Sequence, residues 1–301
     1  MAKVAFIGLG NMGGGMAANL AKVGHDVAAF DLSEDALLRA EARGCARAPS
    51  AAEAVAGADA IVTMLPAGKH VRDVYEASIF GQAPTGAILM DCSTIDVATA
   101  REVIAHGEAQ GYEMVDGPVS GGIAAAETGT LTFMVGGTDA AFERARPLLE
   151  QMGKAVIHAG GPGSGQAAKI CNNMLLGASM AATCETFVMA RKLGLDLQTF
   201  FDISSKASGQ CWSMTSYCPV PGVGPETPAD RDYDGGFATA LMLKDLKLAM
   251  EAAQSVDAYT PMGAEAEALY SRFADLGGGG KDFSALIRMI DDSWPKPATP
   301  S

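Results

Sequence analysis

The segment 163–173, GSGQAAKICNN, sets one lysine into an otherwise uncharged stretch with helical patterning. Lys169 and Asn173 are four residues apart, so on a helix they project from one face. Ala167, Ala168, Ile170 and Cys171 flank the lysine, and no carboxylate neighbours it in the sequence. An ammonium in such surroundings is either less buried than the pattern suggests or kept for proton chemistry. A lysine acting as a base must be a neutral amine, so its ordinary pKa of about 10.4 has to fall. Apolar surroundings push it in that direction.

A second set of residues opens the chain. Gly8-Leu9-Gly10-Asn11-Met12-Gly13 follows the apolar run Lys3–Ile7, precedes a helical segment, and is answered by Asp31 at the end of the next predicted strand. A lone GxGxxG is a weak signal, but in this context it predicts a dinucleotide site. Gly8, Gly10 and Gly13, with Asn11 and Met12 in the same loop, let the backbone approach a pyrophosphate, and the helix start offers unpaired N–H groups. Asp31 is expected to accept hydrogen bonds from the adenosine ribose and to repel a 2′-phosphate, which favours NAD over NADP.

Leu65-Pro66 and Asp91-Cys92-Ser93-Thr94 each follow a predicted strand, at the carboxyl edge where doubly wound sheets bind ligands. Leu65, Pro66 and Thr94 are therefore candidate cofactor contacts, and Asp91 is read as structural. In Asp116-Gly117-Pro118-Val119-Ser120-Gly121-Gly122, Ser120 offers a hydroxyl, and Gly121 and Gly122 allow N–H groups to converge on a carboxylate. A tight loop without a ligand fits those residues equally well. Trp212, Tyr217 and Phe237 suggest an apolar wall, although each alone is more often core packing. Four dispersed histidines and six cysteines without a CxxC support no metal site.

These residues need a frame. Strands are expected at Lys3–Ile7, Asp26–Phe30, Ala60–Met64, Ala87–Asp91, Glu113–Asp116, Leu131–Val135 and Ala155–His158, with helical segments between most of them. This alternation predicts an α/β Rossmann domain, a doubly wound and mainly parallel sheet. After Gly160-Gly161-Pro162-Gly163 the pattern changes to a long helix over 164–193, then helix and loop only. The expected domains are thus 1–162, binding NAD, and 163–301, all-helical and including the long interdomain helix; the resemblance given below implies that the second is the substrate and dimerisation domain. Cys218–Gly236 and Gly277–Gly280 read as loops, and Pro295–Ser301 as a tail.

At 301 residues, 49% hydrophobic and 19% charged, the chain has an ordinary globular profile rather than a disordered one. A net charge of −13 argues against a nucleic-acid surface. Glu185 and many small residues mark the longest apolar run, 174–190, as a buried helix rather than a membrane span. Scattered cysteines and no room for a presequence before the first strand predict a cytoplasmic protein.

With these pieces assembled, the chain resembles the β-hydroxyacid dehydrogenases over essentially its whole length. The resemblance is carried by GLGNMG (8–13), TMLP (63–66), DCSTID (91–96), DGPVSGG (116–122), GTLTFMVGG (129–137), GQAAKICNNMLL (165–176) and LMLKDLKLA (241–249). GQCWSMTSYCPVPGV (209–223) and GGF (235–237) point to the hydroxyisobutyrate branch. The resemblance implies that Lys169 is the catalytic lysine and that Asn173 anchors the substrate. It implies that Ser120, Gly121 and Gly122 bind the substrate carboxylate and that Lys244 lies near the nicotinamide. It also implies a Rossmann domain joined by a long helix to an all-helical domain, assembled as a homodimer or homotetramer.

The expected reaction is NAD-dependent oxidation of (S)-3-hydroxyisobutyrate to methylmalonate semialdehyde, with no metal. The alternatives are a reductase of tartronate or succinic semialdehyde, or a non-catalytic NAD-binding module. Gly15, where relatives often carry proline, is expected to loosen the start of the first helix. Cys218 and His70 stand where asparagine is frequent.

Overall fold

The structure is a computed structural model and describes residues 1–294; the Pro295–Ser301 tail lies outside the described residues. The chain divides into two compact units, Met1–Lys169 and Ile170–Ser301.

The first unit alternates strand and helix from its start. β1 (Lys3–Ile7), α1 (Gly13–Lys22) and β2 (Asp26–Phe30) form the opening βαβ unit, followed by α2 (Glu34–Glu41), β3 (Ala46–Arg47), α3 (Ala51–Val55) and β4 (Ala60–Thr63). Then come α4 (Gly68–Val74), β5 (Ile88–Asp91), α5 (Val97–Ala109), β6 (Glu113–Asp116), β7 (Val119–Ser120) and α6 (Gly122–Thr128). β8 (Leu131–Gly136), α7 (Asp139–Leu149) and β9 (Gly153–Gly160) complete the sheet. The strand order is β3-β2-β1-β4-β5-β6-β8-β7, with β9 on β8. Strands β1 to β6 pair in parallel, and the switch point lies between β1 and β4, where doubly wound sheets bind ligands.

Alternation along each strand feeds two cores. Val4 and Phe6 of β1 and Val62 of β4 enter one layer, while Ala5, Ile7 and Ile61 enter the other. That period of two is why the strands read as short, wholly apolar runs: both faces are covered by helices.

Three features depart from the sequence expectation. β7 and α6 occupy a stretch where the sequence predicts no element, and where a tight loop and a carboxylate-binding turn fit residues 116–122 equally. Gly121 (φ 133°) and Gly122 (φ 71°) turn the chain there, and IAAAET then continues as helix to a left-handed Gly129. β8 runs antiparallel to both β6 and β7. α1 starts at Gly13, and a Cβ at position 15 would lie 2.9 Å from the Ala126 backbone, so Gly15 has a packing role that the sequence does not predict, letting α1 and α6 approach closely.

α8 (Ser164–Lys192) runs from the first unit into the second. The second unit continues with α9 (Leu197–Ser204), α10 (Trp212–Thr215), α11 (Thr239–Ser255), α12 (Pro261–Asp275) and α13 (Ile287–Ile290). Its core is built on Met180, Phe187, Tyr233, Leu246, Tyr270 and Phe283. Within the expected Cys218–Gly236 loop, Pro228–Arg231 forms a 3-10 turn closed by a capping box between Thr227 and Asp230. Gly278–Gly280 is a second such turn. No helix among the described residues is long and apolar enough to cross a membrane.

Candidate functional site

The three glycines of the first loop serve three different demands. Gly8 has φ 97°, and a Cβ there would lie 2.2 Å from the Met64 carbonyl oxygen. A Cβ on Gly13 would lie 2.0 Å from the Gly8 carbonyl oxygen, so this glycine lets α1 start against the turn. Gly10 meets nothing within 4 Å and faces a groove of about 590 Å³ bordered by Leu9, Asn11 and Gly14. No side chain caps the start of α1. An open glycine, a tight turn and an uncapped helix start fit the pyrophosphate of a dinucleotide.

Asp31 lies at the end of β2 as expected, and its carboxylate already has work in the chain. Oδ2 accepts from the Leu9 amide at 2.6 Å and Oδ1 from the Ser33 amide at 2.8 Å. A carboxylate has about four lone-pair sites, so acceptor capacity remains for a ribose hydroxyl. The first role, which fixes the glycine loop itself, was not legible in the sequence.

The loops after β4, β5 and β6 are joined by one buried polar network. The Leu65 amide donates to Ser93 Oγ (2.8 Å), and Ser93 Oγ donates to Asp91 Oδ1 (2.6 Å). Thr63 Oγ1 also donates to Asp91 Oδ1, at 2.7 Å. Burial pushes the Asp91 carboxyl up to about 6, against the pull of the hydrogen bonds from Ser93 and Thr63. Pro66 is exposed and Thr94 half-buried beside these loops.

The network continues into the first turn of α8. Gln166 donates from Nε2 to the Ser93 carbonyl (2.7 Å) and accepts at Oε1 from the Ile95 amide (3.1 Å). Asp116 Oδ1 accepts from the Gly163 amide and Oδ2 from the Gln166 amide, both at 2.8 Å. Burial raises the Asp116 carboxyl, and those backbone N–H groups oppose the rise. Asp116 and Gln166 thus lock the helix start that carries Lys169, which is only 7% exposed. Sequence reading passed over both residues, although each lies inside a motif it singled out. In the same unit Ser120 is half-buried and Gly121 exposed, and Gly122 has open space where a side chain would stand.

In the second unit Asn173 is 1% exposed, and its amide is held on both sides. Nδ2 donates to Asp245 Oδ2 at 2.6 Å, while Oδ1 accepts from Asn172 Nδ2 at 3.0 Å. The other Asp245 oxygen lies 3.7 Å from Lys244 Nζ. Asp245, also missed from sequence, therefore links Asn173 to Lys244; its only signal was the Lys-Asp pair inside LMLKDLKLA. Trp212 is 51% exposed and stacks on Tyr217 with ring centroids 4.7 Å apart, and Phe237 is half-buried. Among the described residues no group of three or more His, Cys, Asp or Glu is placed to hold a metal ion.

Residues 3–161 match the family model of the NAD-binding domain of 6-phosphogluconate dehydrogenase. Residues 163–290 match the model described as NAD-binding of NADP-dependent 3-hydroxyisobutyrate dehydrogenase. The chain is 46% identical to a 3-hydroxyisobutyrate dehydrogenase of Pseudomonas aeruginosa, covering 96% of this chain and 98% of that one. It is 44% identical to an NAD-dependent L-serine dehydrogenase of the same organism, over 97% and 98%. Among solved structures, a Mycobacterium tuberculosis 3-hydroxyisobutyrate dehydrogenase with L-serine superposes with a TM-score of 0.93 at 47% identity, covering 97% of this chain and 99% of that one.

Proposed function

The chain belongs to the 3-hydroxyisobutyrate dehydrogenase family of β-hydroxyacid dehydrogenases, and on that premise we propose that it oxidises (S)-3-hydroxyisobutyrate to methylmalonate semialdehyde. It is an NAD-dependent oxidoreductase. The observation that supports the proposed chemistry furthest is the buried lysine on a helix whose first turn is bonded to Asp116 and, through Gln166, to the loop after β5.

The residues that would hold the dinucleotide are Gly8, Gly10, Asn11, Met12 and Gly13 at its pyrophosphate, with Asp31 at the ribose. Leu65, Pro66, Thr94 and Lys244 complete that set. When bound, NAD supplies the two-electron acceptor for the carbinol carbon. Lys169, as the neutral amine, takes the hydroxyl proton while the C=O bond forms, and returns it in the reverse direction. Ser120 and the backbone of Gly121 and Gly122 receive the substrate carboxylate. Asn173, its amide oriented by Asp245, anchors the substrate against rotation. Trp212 and Phe237 supply the apolar wall for the methyl branch.

A second substrate, L-serine, is favoured by one observation: a relative 44% identical over nearly full length is named for that activity. L-Serine is also a β-hydroxy acid and differs by an amino group in place of the methyl. The deciding experiment measures kcat/KM for (S)-3-hydroxyisobutyrate, its enantiomer and L-serine, each with NAD and NADP. Leadership by (S)-3-hydroxyisobutyrate with NAD is the expected result; leadership by L-serine would keep the Lys169 chemistry and replace the substrate.

The proposal includes a cytoplasmic homodimer or homotetramer. The oligomer is supported by exposed apolar residues on the second unit's helices, among them Leu175, Met189 and Ile203, and is checked by light scattering.

A further inference from the structure

Asp282 is fully buried in the second unit, and its carboxylate accepts hydrogen bonds from the neutral donors of Ser284, Tyr217 and Phe237. Oδ1 accepts from the Ser284 amide (3.0 Å) and Ser284 Oγ (2.6 Å). Oδ2 accepts from the Tyr217 hydroxyl and from the Phe237 amide, each at 2.8 Å. One carboxylate oxygen therefore fixes two aromatic residues that are twenty positions apart in sequence. Tyr217 in turn stacks on Trp212, with its ring tilted by 21°. The backbone is pinned as well. Asp282 forms an isolated antiparallel bridge with Ala238, and the Phe283 amide donates to the Phe237 carbonyl at 2.9 Å.

Gly236 shows how little room this arrangement leaves. Its φ is 69°, and a Cβ there would lie 2.2 Å from Asp282 Oδ2 and 2.5 Å from the Tyr217 hydroxyl oxygen. The second glycine of GGF is thus the residue that lets the 218–236 segment close onto the carboxylate.

We infer that Asp282 is a positioning residue that sets substrate selectivity by holding Trp212, Tyr217 and Phe237 as a single aromatic wall. The inference rests on the reading, given above, that this wall faces the substrate's branch. Its physical content is that the Tyr217 proton is committed to Asp282. The tyrosine then contributes ring surface to the wall and no free donor for a polar substituent. Burial and the adjacent carboxylate push the phenol well above its ordinary range, so it stays a donor. An amide in place of the carboxylate can accept on one side only, so either the Ser284 pair or the Tyr217–Phe237 pair loses its acceptor.

The test compares kcat/KM for (S)-3-hydroxyisobutyrate and L-serine, and KM for NAD, in the wild type, Asp282→Asn, Tyr217→Phe, the double variant and Trp212→Ala. The expected result is a fall of about tenfold in the ratio of the two kcat/KM values for Asp282→Asn, the size of a lost hydrophobic contact in a specificity pocket. Tyr217→Phe lowers the ratio in the same direction, the double variant adds little to either, and KM for NAD holds. Should Asp282→Asn not fold, Tyr217→Phe carries the test alone, because it keeps the ring and removes only the bond. Proportional loss with both substrates, leaving the ratio unmoved, overturns the positioning role. If Trp212→Ala leaves both kcat/KM values unchanged, the wall itself is not at the substrate and the inference falls with that reading.

Discussion

Asp31 and Asp245 each hold a partner within the chain, and the proposed site gives those same bonds a bearing on the ligand. A carboxylate at the end of β2 is expected to select NAD through the ribose; this one also holds the Leu9 amide. Asp31→Ala is therefore expected to do two things: raise KM for NAD about tenfold or more, as a charge-assisted bond in the loop is lost, and lower the NAD to NADP preference. Initial rates with both cofactors check this, and an unchanged cofactor ratio would remove the ribose from its role. Asp245 is the partner of Asn173. Asp245→Ala should raise KM for the hydroxy acid more than KM for NAD, because the amide loses the acceptor that orients it. Asp31 was legible because its distance from the glycine loop is characteristic. Asp245 and Asp282 were not, because their partners at positions 173, 217 and 237 meet them only through tertiary packing.

At the scale of elements, α8 is the part whose start the chain takes most care to fix. Its length was legible from a long run without proline, but the bonds at its first turn were not, since Asp116 comes from β6, far back in the sequence. Asp116→Ala should leave KM for NAD within about twofold while kcat falls by roughly 10²-fold, the cost of a misplaced reacting group. A kcat within a few-fold of wild type, or a KM for NAD that rises as much as kcat falls, would contradict positioning. Gly13→Ala tests the start of α1: its Cβ would lie 2.0 Å from the Gly8 carbonyl oxygen of the backbone. The expected loss is about 1–3 kcal/mol of stability by overpacking, read from urea unfolding, together with weaker NAD binding. β7 and α6 escaped the sequence because Gly121 and Gly122 read equally as a loop, and their backbone angles alone decide the outcome.

For the molecule as a whole, buried carboxylates shape the dependence of stability on pH. Asp91 titrates near 6 in the folded chain against an ordinary 3.8, so between those values the native state binds more protons than the unfolded one. The contribution of Asp91 to stability then falls as pH rises through that window and levels off above it, by roughly 3 kcal/mol. Asp91→Asn should flatten that slope, measured as the difference in Tm between variant and wild type across the same range; parallel curves would contradict it. The doubly wound sheet and the helical second unit were legible because strand–helix alternation and its abrupt end are global patterns, robust to errors at any one residue. Everything converges on one amine. Turnover of (S)-3-hydroxyisobutyrate with NAD, followed by NADH absorbance alongside NAD affinity by calorimetry, should fall at least about 10³-fold in Lys169→Ala with affinity for NAD retained. Turnover within a few-fold of wild type, or equal loss of both quantities, would contradict Lys169 as the proton acceptor.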